Sequence, residues 1–129
     1  MTTKKKVYLA SFLAPMLIML VAWIIDGFFP FGAKSLMAVD FNAQYIGLYA
    51  YFKHLFLNGD WSSFFYSFSK SIGGGMLGIW GFNLLSPFNF LFLLFSEENF
   101  QWVVPVTIAL RYGTMGLTMT HFLVKRYDG

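Results

Sequence analysis

Two stretches of the chain carry no alternation at all. Val7 to Ile25 is nineteen residues without a charge, and Trp102 to Val124 is twenty-three with a single one, Arg111. At 1.5 Å per residue the first reaches about 28 Å, close to the roughly 30 Å of a bilayer's hydrocarbon core. Both stretches are predicted to be transmembrane helices, with Pro15 tolerated inside the first. A third apolar run, Met76 to Phe95, has the length to cross but is interrupted by Asn83, Ser86-Pro87 and Asn89. Those breaks favour an interfacial or re-entrant pair of short helices over a full crossing.

Between the spans, residues 40–58 show a helical period. Asp40, Gln44, Gly47, Tyr51, His54 and Asn58 are separated by 4, 3, 4, 3 and 4 positions and form one polar seam. Phe41, Tyr45, Leu48, Phe52 and Leu55 form an apolar line beside it. This is the pattern of a helix lying in a membrane interface, with its apolar side in lipid. Lys53 falls nearly opposite the seam, where its stem can snorkel to headgroups. Asn58-Gly59 reads as the turn that ends the helix. A Ser/Phe-rich link and the Gly73-Gly74-Gly75 break follow. The predicted architecture is an all-α membrane protein: two transmembrane helices (7–25 and 102–124) joined by an outer segment (26–101) of interfacial or re-entrant amphipathic helices, in one module spanning 1–129.

Composition agrees. Hydrophobic types make up 57% of the 129 residues and charged types 12%, about half the charged share of a soluble domain. The charge is placed at the ends. Lys4, Lys5 and Lys6 precede the first span, and Lys125 and Arg126 follow the second. The positive-inside rule then puts both termini in the cytoplasm and the outer segment on the far side. A full crossing by 76–95 would put Lys125 and Arg126 outside. The first apolar run is too long for a signal-peptide core and is read as an uncleaved anchor. With no Cys, thiol chemistry and disulfides are excluded. With no basic surface interleaved with aromatics, no nucleic-acid partner is expected.

Candidate chemistry is sparse. Asp40 heads the seam and has two compatible readings, a helix N-cap and a proton acceptor at a membrane surface. His54 reads first as a hydrogen-bonded interface residue. Ser69-Lys70-Ser71-Ile72-Gly73-Gly74-Gly75 offers a cation, hydroxyls and bare backbone N–H groups for a phosphate. It is not a P-loop, since Lys70 precedes the glycines; the other reading is a flexible joint. Arg111, costly in mid-span, pairs either within the helix bundle or with a carrier phosphate. Ser96, Glu97 and Glu98 read as the start of the second span. A divalent metal is conceivable, but no clear ligand set stands out.

The succession "DFNAQY", "FFYSFSKSIGGGMLG" and "LLSPFNFLFLLF" resembles the N-terminal part of the YfhO-like family of bacterial multi-pass membrane proteins, over most of the chain. That family is similar to GT-C-type glycosyltransferases. The resemblance implies transfer of a sugar from a polyprenyl-phosphate carrier to a cell-envelope acceptor on the outer face of the bacterial plasma membrane. It implies Asp40 as the catalytic acidic residue of the first outer loop, and Gln44, Tyr45, Lys70, Gly73, Gly74 and Arg111 as substrate-binding. Implied partners are the lipid bilayer, the lipid-linked sugar and the remaining transmembrane helices of a longer chain, without which this part is expected to be inactive. The alternative is a small non-enzymatic subunit that binds or translocates polyprenyl-linked sugars; a plain membrane scaffold is a third reading.

Overall fold

The uninterrupted apolar run forms one continuous helix. In the computed structural model, which describes residues 3–38, 41–68, 70 and 72–127, α1 runs Thr3–Asp26 with Pro15 inside it. Its aliphatic side chains point outward: Leu17, Ile18, Val21, Ile24 and Ile25 are all more than half exposed, as side chains facing hydrocarbon should be. Among the described residues α1 is the one unbroken helix both long and apolar enough to cross a bilayer. The second predicted span lies within α5, Phe100–Tyr127, a 28-residue helix containing Pro105. At about 42 Å it is long enough, but Arg111, Tyr112, Gly113 and its threonines make it less apolar than α1.

The chain packs as two compact units, one of Met1–Leu36 with Val104–Gly129 and the other of Met37–Val103. In the first unit the helices meet through glycine. A Cβ on Gly116 would stand 2.1 Å from the Ser11 carbonyl oxygen, and one on Gly113 2.8 Å from both Phe12 and Met16 side-chain atoms. Pro15 has no N–H, so the helix supplies no donor to the carbonyl of Ser11, and the bare Gly116 backbone sits against it. Tyr8 and His121 meet at 3.3 Å. As α1 is followed upward its partners on α5 descend, so the two run antiparallel, and Lys4, Lys5 and Lys6 share an end with Lys125 and Arg126. Two hydroxyls in these helices bond to their own helix, Ser11 donating to Val7 O at 2.7 Å and Thr114 to Leu110 O at 2.7 Å, whereas the buried Thr107 hydroxyl makes no hydrogen bond among the described residues.

The second unit is organised by aromatic rings. Its entry is a π-helical turn, Phe41–Tyr45, that continues as α2, Ile46–Asn58. Asp40, the expected first residue of this helix, lies outside the described residues, as do Ser69 and Ser71. Gly59 ends α2 in the left-handed conformation (φ 65°), its N–H bonding back to Leu55 O. Contrary to the expectation of lipid on that side, the apolar face of α2 is buried in protein. Tyr49, Phe52 and Leu55 are at most 3% exposed; Tyr49 stacks on Phe92 at 4.0 Å and Phe52 meets Phe90 edge-on at 5.6 Å. The Lys53 ammonium donates to Phe95 O and lies 6.0 Å from the centre of the Phe100 ring.

The apolar run from 76 supplies the other half of this core. Helix α3 (Leu77–Ile79) widens into a π-helical turn, Trp80–Leu84, and after Ser86 a 3₁₀ turn, Pro87–Phe90, leads into α4 (Leu91–Leu94). The two halves meet at 88°, the bend expected of a re-entrant or broken segment. Asn89, fully buried, makes the corner: its amide donates to Asn83 O at 2.7 Å and Leu84 O at 3.0 Å, carbonyls left over where the helix stops. Trp80 fills the centre, stacked on Phe64 at 4.4 Å with its indole N–H on Phe64 O at 2.5 Å. One element corrects the all-helical expectation: β1 (Tyr66–Ser67) pairs antiparallel with β2 (Gly74–Gly75), closing the glycine-rich stretch into a short hairpin. A 3₁₀ turn at Glu97–Asn99 then opens α5, where the acids were expected.

Candidate functional site

A 3.6-residue spacing makes a line only if something faces it. The seam residues Gln44, Gly47 and Tyr51 face a cleft of about 250 Å³, whose opposite wall is Ser67, Lys70, Met76 and Ile79. Gly47 keeps the helix side open: a Cβ there would meet nothing within 4 Å. The cleft lies wholly within the second unit, between the first turns of α2 and the hairpin.

The hairpin owes its shape to the glycines. Gly73 has φ 104°, a conformation strained for any residue with a Cβ, and a Cβ on it would fall 2.5 Å from the Tyr66 hydroxyl, which would have to shift. Lys70 reaches back across the turn, its ammonium on Gly75 O at 2.8 Å and its stem over Gly74. The described part of the glycine-rich stretch, Lys70 and residues 72–75, thus forms a turn that sets a cation at the rim of the cleft.

Tyr51 is held by a relay. Its hydroxyl donates to Ser63 O, and Ser63 is fixed in turn by Asp60, which accepts from the Ser63 hydroxyl at 2.6 Å and its N–H at 3.4 Å, and from the Ser62 hydroxyl at 2.5 Å. These hydroxyls, Ser62 first, hold the Asp60 carboxyl below its usual 3.8. Asp60 thus caps the 3₁₀ turn Trp61–Phe64. His54 bonds the Asn58 amide at 2.8 Å, within its own helix.

Of the sequence candidates, Gln44 and Lys70 line the cleft, and Gly73 and Gly74 build its hairpin wall. Tyr45 does not line it: its ring stacks on Phe41 at 5.3 Å and lies 6.1 Å from Phe82. Arg111 is half-buried on α5, in the other unit. Tyr51 belonged to the seam but was not singled out, and Ser67, buried on β1, gave no signal beyond a small polar residue among aromatics. Among the described residues no three His, Cys, Asp or Glu side chains gather as metal ligands.

Residues 11–128 match the family described as bacterial membrane protein YfhO. The chain belongs to the YfhO family. The match includes both walls of the cleft, the 88° corner, all of α5 and α1 from Ser11 onward, so these are features of a YfhO chain rather than of an appended segment. No curated protein and no solved structure matches the chain.

Proposed function

We propose that this YfhO chain forms the N-terminal part of a membrane glycosyltransferase, moving a sugar from a polyprenyl-phosphate donor to a cell-envelope acceptor on the outer face. The observation that carries the reading is the cleft, whose lining includes an amide residue, Gln44, two hydroxyl residues, Tyr51 and Ser67, and a cation, Lys70. A sugar needs neutral donors and acceptors, and a phosphate needs a cation; both are present within one 250 Å³ space. In this proposal Lys70 leaves the Gly75 carbonyl for the donor phosphate, and Gln44 and Tyr51 orient the sugar.

Asp40 stands four residues before Gln44 in sequence and serves as base. It takes the proton of the acceptor hydroxyl, whose oxygen forms a bond to the anomeric carbon as the bond to the carrier phosphate breaks; the phosphate leaves with that electron pair and the anomeric centre inverts. The antiparallel contacts of α1 and α5, with five cations at one end, support a two-span arrangement with both termini cytoplasmic and the cleft unit outside.

The test is Asp40→Asn in the complete protein. Asn caps a helix about as well as Asp but takes no proton. Turnover is expected to fall about 10²–10⁴-fold, with stability changed by less than about 1 kcal/mol. Near-normal turnover would leave Asp40 a cap and remove the base from the proposal. A protein that binds the lipid-linked sugar without transferring it, with Asp40 intact, favours the non-enzymatic carrier subunit.

A further inference from the structure

Among the described residues the two most exposed large apolar side chains are Ile72 at 96% and Phe68 at 81%. Both stand at the closed end of the β1–β2 hairpin, beyond the paired residues Tyr66–Gly75 and Ser67–Gly74. They are not scattered singly. Phe65 and Tyr66 are exposed in the same stretch, the Tyr66 ring meets Phe68 edge-on at 5.3 Å, and Phe68 lies against Gly73, the chain neighbour of Ile72. The ladder and a bond from Gly73 N–H to Lys70 O at 2.9 Å give this end its shape. The proposed transfer uses none of these apolar groups. A patch of this kind marks a surface that something else covers.

Three observations say what covers it. The first is charge. From Trp61 to Ser96 the sequence has no acid, and its single cation, Lys70, turns its ammonium onto Gly75 O at 2.8 Å. The cation is engaged with the hairpin's own backbone, and Phe68 and Ile72 are left facing outward. The second is likeness. Comparable exposure recurs at Ile18 (71%) and Ile25 (78%) of α1, the helix long and apolar enough to cross a bilayer. The third is chain continuity. Only Gly27–Leu36 separates α1 from the second unit, and Phe100–Val103, the first turn of α5, is part of that unit. A hairpin tied through both ends of its unit to such helices meets a lipid surface at high effective concentration, with no second protein to recruit.

We infer that the closed end of the hairpin inserts into the headgroup layer of a lipid bilayer, with the Phe68 ring and the Ile72 side chain at the acyl boundary. Apolar groups that face an interface in this way lie about 5–10 Å into that layer. The contact needs no anionic lipid, because the one cation nearby is turned onto backbone. The inference rests on α1 crossing the bilayer, and not on the chemistry of the cleft.

The chain has no cysteine, so Phe68→Cys or Ile72→Cys takes a polarity-sensitive dye at one known place. The whole chain is reconstituted in phosphatidylcholine vesicles, with lipid spin-labelled at a shallow acyl carbon as one quencher and iodide as the other. At both positions the emission is expected to shift to the blue. The spin-labelled lipid should quench it, and most of the iodide quenching seen for the dye on free cysteine should be lost. Added phosphatidylglycerol or salt should change none of this. Ile72→Asp should withdraw the end and return a dye at 68 to iodide. Exchange at Met76, whose N–H bonds Phe65 O at 2.8 Å, shows in each variant that the hairpin persists; the readings at 68 and 72 stand without the Asp variant. A dye open to iodide at both positions overturns the inference. So does shielding from iodide without quenching by the labelled lipid, which gives the surface to protein, a second copy or another segment. Shielding that appears only with phosphatidylglycerol overturns it as well, since the contact then belongs to Lys70 and a headgroup phosphate. Loss of transfer in the Asp40 variant leaves every one of these outcomes untouched.

Discussion

The two units show different apolar surfaces and are held together differently. On α1 the exposed large residues are aliphatic, Val7, Leu9, Leu13, Leu17, Ile18, Val21, Ile24 and Ile25; in the second unit aromatics dominate, among them Trp61, Phe65, Tyr66, Phe68, Phe82, Phe90 and Phe95. Aliphatic chains suit hydrocarbon, and aromatic rings collect where hydrocarbon meets headgroups. The interiors differ in the same sense. The first unit closes by bringing bare backbone against backbone, Gly116 against Ser11, which is how helices associate when lipid is as apolar as they are. The second closes on rings, with Tyr49, Phe52, Trp80, Phe92 and Phe100 nearly inaccessible, which is how a core forms next to water. Burial against lipid and burial against protein thus leave different residue types at the contact.

The contrast can be broken from either side. The largest effect is expected from Trp80→Ala, which empties the centre of the ring core and removes the bond to Phe64 O; a loss of about 3–5 kcal/mol should appear as collapse of the near-ultraviolet circular dichroism and of hydrogen-exchange protection in 46–92. Gly116→Ala comes next. Its Cβ meets a backbone carbonyl rather than the end of a flexible chain, so about 1–3 kcal/mol is expected, read as lost disulfide formation between cysteines placed at 8 and 121. Gly73→Ala strains a left-handed position by about 1–2 kcal/mol. It should open the hairpin, seen as faster exchange at Met76, whose N–H bonds Phe65 O at 2.8 Å.

The smallest concerns acid. Asp60 has its pKa lowered below 3.8 by the serine hydroxyls. Its contribution is therefore present above about that value and fades as pH falls through the lower folded value. Asp60→Asn should loosen the 61–67 segment at neutral pH and remove its further loosening in acid, measured by exchange at pH 7 and below pH 4.

Much of this plan was legible in the sequence. Charge-free length located α1 and the body of α5, the 4-3-4-3 spacing located the seam, Asn58-Gly59 marked the end of α2, and the interruptions at Asn83, Ser86-Pro87 and Asn89 marked the corner. What covers the apolar side of α2 was not legible, because lipid and an aromatic core select the same residue types at Phe52 and Leu55. The hairpin was hidden for a related reason. A two-residue strand ending in glycines has no alternation to read, and its register is set by Tyr66 lying over Gly73 and by Lys70 reaching Gly75, contacts that close only in three dimensions. The acceptor of Lys53, Phe95 O, was not legible because it is 42 positions away.

The antiparallel contact of α1 with α5 also constrains a count. Two neighbouring helices that cross a bilayer in opposite senses must be joined by chain that leaves and returns on one side, so the number of complete passages between them is even. Where α5 crosses the bilayer beside α1, a lone third passage by residues 77–94 breaks that parity, and a re-entrant path, to which the 88° bend between Leu77–Leu84 and Pro87–Leu94 is suited, keeps it. Added length anywhere in 37–103 preserves this parity as long as it too returns. That tolerance leaves the 37–103 unit open to variation in size without reversing the sense in which α5 runs against α1.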